Sequence, residues 1–128
     1  MHQLGGLGRS FALETTLSGL SYRRLVRDLR GAGYVFHLVF LWLASEDFAV
    51  ERVARRVQLG GHGIPEDTIR RRYRAGLRNF FNFYQPLADH WAFYDNSEDE
   101  PRLLAYGNGE TVEFEPPIWH TLRRRWTS

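Results

Sequence analysis

From Tyr34 to Ala44 the chain reads YVFHLVFLWLA, with His37 as its one interruption. A run of that length, rich in aromatic and branched side chains, predicts a strand of a parallel sheet covered on both faces. Upstream, SFALETT predicts a shorter buried strand that ends in polar residues. Between the two, Tyr22, Leu25, Val26 and Leu29 recur at helical spacing, and Gly31 and Gly33 stop that helix. Ser45 can cap a second helix whose first turn holds Glu46 and Asp47; it runs to about Leu59 with Val50, Val53, Ala54 and Val57 as its apolar stripe. A third helix opens at Pro65 and aligns Ile69, Tyr73, Leu77, Phe80, Phe81 and Tyr84. HWAFYDN predicts another strand, RLLAYGNGETVEFE a hairpin, and Pro116 and Pro117 open a short helix with Ile118, Trp119, Leu122 and Trp126 on one face. Strands alternating with helices indicate an α/β sheet with right-handed crossovers, in one domain over residues 1–128.

Composition narrows the chemistry. No apolar run reaches the roughly 18 residues of a membrane span, and the absence of cysteine rules out disulfides and fits a cytoplasmic location. All 17 basic residues are arginine. With no lysine, Schiff-base catalysis and a phosphate-loop lysine are excluded within these 128 residues. No spacing of His, Asp and Glu suggests a metal site, and no serine stands in a nucleophile elbow.

The arginines are unevenly spread. Seven of them, Arg55, Arg56, Arg70, Arg71, Arg72, Arg74 and Arg78, flank the loop GGHGIP. At about 100° per residue, Arg52 and Arg55 point away from the apolar stripe of their helix, as Arg71, Arg74 and Arg78 do on the next, where solvated charge is expected. Arg56 lies beside its stripe, and Arg70 and Arg72 lie at the two borders of theirs. Forked guanidinium donors on either side of a hinge suit a transferring phosphoryl group. Nucleic-acid binding would want a broad basic face with exposed aromatics; here the net charge is +2 and acids interrupt the arginines.

The segments FALETTLSG, GYVFHLVFLWLAS, RVQLGGHGIPEDTIRRRY and NFYQPLADHWAFYDNS resemble the zeta toxin family of P-loop kinases, in its predicted ATPase branch, from about Ser10 to about Gly107. The resemblance implies a P-loop-kinase-like, three-layer α/β sheet and an ATP- and magnesium-dependent kinase acting on a nucleotide sugar, the activity of toxins that a small antitoxin neutralises. It assigns Arg56 and one of Arg70 or Arg72 to a lid over the transferred phosphate, at residues 56–72. It places Glu14 and Thr16 near the sugar. Thr15 beside them and His62 in the glycine loop are further substrate-side candidates, and Asp95 and Asn96, at the end of a strand on the same edge, are candidates for the nucleotide side. The family's glycine-rich phosphate loop and catalytic aspartate have no counterpart here. The chain therefore reads as an N-terminally truncated kinase portion with a C-terminal hairpin and short helix, needing no cofactor of its own and not competent alone.

Beside these assignments stand plainer ones. DNS at residues 95–97 is a turn sequence, His37 within an apolar strand reads as a hydrogen-bonded core histidine, and Glu14 as a structural carboxylate. Loss of a central strand would pair the two N-terminal strands directly or leave a gap. Either outcome predicts exposure of part of NFFNFY or of the C-terminal tryptophans, and a homodimer or second chain covering an open sheet edge. An arginine-rich nucleic-acid or protein-interaction module is the alternative function.

Overall fold

The structure, a computed structural model, describes residues 9–14, 17–61 and 63–127, with backbone alone at Arg9, Leu13 and Glu14. Strand β1 (Arg9–Glu14), helix α1 (Tyr22–Gly31), strand β2 (Tyr34–Trp42), helices α2 (Glu46–Gln58) and α3 (Glu66–Asn79) and strand β3 (His90–Asp95) follow in order. The hairpin β4 (Arg102–Gly107) and β5 (Thr111–Glu113) comes next, and helix α4 (Pro116–Trp126) closes the chain. Spatial strand order equals chain order; β1, β2 and β3 are parallel, and β4 and β5 run antiparallel to their neighbours.

That order fixes where the helices go. Both parallel connections step in the same direction across the sheet, so right-handed crossovers deliver α1 and the α2–α3 pair to one face. Burial follows: along β2, Phe36, Leu38, Phe40 and Trp42 are buried, while Val35, His37 and Val39 are half-buried and Leu41 is exposed. The three-layer sheet and the strand covered on both faces are thus corrected to two layers. Among the described residues no helix packs on the far face. His37, expected in the core, sits on that face with its ring stacked on His90, centroids 4.7 Å apart.

β1 and β2 pair directly, Phe11 opposite Phe36 and Glu14 opposite Val39. The expected exposure of NFFNFY or the C-terminal tryptophans does not occur: Phe80, Phe81, Tyr84 and Trp119 are buried, and Phe83 and Trp126 are half-buried. The reason is local. After Asn79, α3 widens into one π turn, Phe80–Tyr84, whose aromatic residues meet the sheet and α4 together. Trp119 stacks on Trp91 at 5.1 Å, and Gly107 lies beneath the Trp91 indole, where a Cβ would stand 2.1 Å from Nε1. Only glycine fits that position.

The β1–α1 loop is held from the same element. Asn79 Nδ2 donates to the Leu17 carbonyl at 2.7 Å, and the Tyr84 hydroxyl to that of Gly19 at 2.9 Å. Leu17 is buried at φ 55°. Full burial of a leucine contributes about 1.5–3 kcal/mol, enough to offset the roughly 1–2 kcal/mol cost of the left-handed region.

Candidate functional site

A cleft of about 360 Å³ opens beyond the carboxyl end of β2, between the sheet and the α2–α3 pair. Its floor is Phe40, Trp42 and Leu77, all buried, with Ile69 and Tyr73 of α3 and Val53 of α2 as walls. The Tyr73 hydroxyl donates to the Leu43 carbonyl at 2.7 Å, which fixes the ring; burial pushes its pKa up. Ser18, carried by the loop that Asn79 and Tyr84 hold, completes the rim.

Three arginines line this cleft: Arg52 and Arg56 from α2 and Arg72 from α3. Their helices are placed by readable local signals. Ser45 Oγ accepts the Phe48 amide at 3.2 Å, which caps α2. At its other end Gly60, at φ 97°, donates to Val57 and Gly61 to the Arg56 carbonyl, at 3.0 and 2.7 Å, the bond pair of a Schellman stop. A Cβ on Gly61 would come within 2.6 Å of Arg56 Cγ, so this glycine lets the loop fold back against the Arg56 side chain.

The pairing of the arginines separates them. Arg70 donates to Asp47 at 2.8 Å, to Glu66 at 3.1 Å and to Glu46 at 3.5 Å, and these hydrogen bonds to Asp47 and Glu66 raise its pKa further. It joins the first turns of α2 and α3 and does not line the cleft. Arg74 leans toward Glu46 at 3.8 Å. Among the described residues, neither Arg56 nor Arg72 has a carboxylate within 4.0 Å. Of the pair left open by the sequence, Arg72 is the one at the cleft. Arg52, read as pointing to solvent, instead lines it and donates to the Asn96 carbonyl at 3.0 Å. Its stripe-based placement fails because α2 buries no residue, so the helix can turn that flank toward the sheet end.

The remaining candidates fall elsewhere. Asp95 makes a turn, accepting the amide and hydroxyl of Ser97 through Oδ1, and Asn96 donates its amide to the Trp42 carbonyl; neither lines the cleft. Glu14 is described only as the strand residue opposite Val39. Thr15, Thr16 and His62 lie outside the described residues. The described lining contains no carboxylate, so it does not fit the magnesium that the kinase resemblance implies.

Over the described residues the molecule is thus an α/β protein with a five-stranded mixed sheet, four α-helices and an arginine-lined cleft at the carboxyl end of its parallel strands. Among the described residues no helix is long and apolar enough to cross a membrane. No family model matches the chain, and no solved structure does. An uncharacterized protein of Haemophilus influenzae (strain ATCC 51907 / DSM 11121 / KW20 / Rd) is 33% identical over 63 residues, 49% of this chain and 45% of that protein. The match therefore spans less than half of either chain.

Proposed function

We propose that this chain binds a phosphate ester through Arg52, Arg56 and Arg72 and does not by itself transfer a phosphoryl group from ATP. The observation that carries the reading is the contrast in pairing. Arg70 spends its charge on three carboxylates, while Arg56 and Arg72, facing one cleft from two helices, have none among the described residues. Guanidinium forks converging from two sides suit the oxygens of a phosphate. The position beyond the strand ends is where open α/β sheets hold ligands. The resemblance to zeta toxin kinases supports the same roles for Arg56 and Arg72 and makes a nucleotide sugar the ester it implies. Transfer from ATP needs contacts to the β and γ phosphates that a phosphate-loop lysine supplies, and the chain has no lysine.

Calorimetry with pyrophosphate and with magnesium ATP tests this. Pyrophosphate binding should weaken tenfold or more in Arg56→Ala and Arg72→Ala and change little in Arg71→Ala and Arg78→Ala, and ATP should not be turned over. Equal losses at all four positions, with a steep dependence on salt, would support a diffuse polyanion surface instead.

A second reading concerns a partner, and the far face of the sheet favours it. Ala12, Val35, Val39, Leu41, Ala92 and Tyr94 lie at register positions of that face, with no charged residue between them on β2 or β3. A second copy offers the same surface, apolar on β2 and β3 around the His37–His90 stack, and sheets stack face to face about 10 Å apart. At about 4.8 Å per strand and 20 Å of length, the three parallel strands offer roughly 300 Å². Two such faces bury roughly 600 Å², below the roughly 1,000 Å² of a specific interface, so the dimer should be weak. Light scattering should show mass rising with concentration in the micromolar range, and Val39→Glu should abolish the rise. A monomer at every concentration would overturn it.

A further inference from the structure

The cleft's charged groups and its apolar groups are sorted by depth, and that sorting bears on what the phosphate is attached to. Arg56 and Arg72 are exposed at the mouth, whereas Phe40, Trp42, Ile69 and Leu77 beneath them are buried. Apart from the arginines, the polar side chains of the described lining are the hydroxyls of Ser18 and Tyr73, and Tyr73 already donates to Leu43. Among the described lining residues there is no carboxylate and no amide side chain to meet a ring of hydroxyls.

Resting on the phosphate-binding reading above, but not on the nucleotide sugar that the resemblance implies, we infer that the ester is amphipathic: an aryl or alkyl phosphate whose apolar group enters the cleft while the phosphate stays at the arginine mouth. Each sugar hydroxyl buried against such walls without a partner loses its hydrogen bonds to water, at about 1–3 kcal/mol. An apolar ring or chain gains from the same burial, because it removes its own surface and that of the walls from water. Guanidinium planes also stack on flat rings, which suits an aromatic group entering between Arg52 and Arg72. A volume of about 360 Å³ accommodates one ring or a short chain; it lies at the small end of the roughly 300–1,000 Å³ of ligand pockets.

The test uses the full chain and four probes in calorimetry: 1-naphthyl phosphate, glucose 6-phosphate, inorganic phosphate and 1-naphthol. Naphthyl phosphate should bind at least tenfold more tightly than each of the other three. Val53→Asn, on a helix that buries no residue, should lower that preference. Arg56→Ala should weaken every phosphate probe. Glucose 6-phosphate binding as tightly as naphthyl phosphate would overturn the apolar assignment and leave phosphate binding standing. Naphthol binding as tightly as its phosphate would show a merely apolar surface and sink both readings, as would binding of none.

Discussion

Asp89 has one of the most consequential side chains in the molecule, although its sequence context gives no sign of it. It accepts the Phe36 amide at 2.7 Å and two donors of Arg30 at 3.0 and 3.2 Å, so one carboxylate joins α1, β2 and the start of β3. Burial alone would raise its pKa; the Phe36 amide and the Arg30 guanidinium outweigh burial and lower it. A carboxyl lowered on folding stabilises the fold above the ordinary carboxylate pKa, and the contribution disappears as pH falls through the lower, folded value. Asp89→Ala should therefore cost about 1.5–3 kcal/mol at neutral pH, the loss of a charge-assisted bond to a part-buried amide. Arg30→Ala should cost less than about 1 kcal/mol, because the pair is open to solvent. Urea denaturation at pH 7 and in acid checks both; equal costs, or a cost for Asp89→Ala that persists below its folded pKa, would contradict this account. At the same scale Arg70, Arg72 and Arg52 show the limit of a helical wheel. It placed Arg72 at a border correctly, yet nothing in it distinguished a cation bound by three carboxylates from one left to face a cleft.

Among the elements, α2 combines the clearest sequence signals with the weakest attachment. Its Ser45 cap, acidic first turn and glycine stop are all present as read. Yet none of its residues is buried, Val57 and Phe48 remain exposed, and its anchors are Arg70 at the first turn and the Arg52 bond to Asn96. Local opening draws on segments with few buried contacts. Hydrogen exchange should accordingly be faster in α2 than in β2, β3 or the π turn, and Arg70→Ala should speed it in α2 while β2 and β3 keep their rates. Uniform acceleration throughout the sheet would mean instead that Arg70 supports the whole fold. Helix α3 shows the reverse pattern. Its apolar positions, with those of the π turn that extends it to Tyr84, were legible by spacing and are buried or half-buried, because a continuous stripe has only one face on which to find the sheet.

For the molecule as a whole, strands and helices could be read from period and punctuation, since those report local backbone preference: β1 through β5 and α1 through α4 all fall where the pattern of apolar residues, glycines and prolines put them. The carboxyl-end location of the cleft was legible for a similar reason, because alternating strands and helices imply parallel strands with one ligand-bearing edge. Layer number was not. It depends on strand order, and the order β1-β2-β3 sends both crossovers to one face, leaving His37, Val39 and Leu41 on the other. A run such as YVFHLVFLWLA looks the same whether one face or two are covered, since apolar residues tolerate both. The sequence by itself therefore determined the elements, the absence of lysine chemistry and the cluster of arginines around a glycine hinge. Tertiary structure alone decided which arginines share a cleft, which are neutralised, and which sheet face stays open, because pairing and burial depend on residues far apart in the chain brought together by packing.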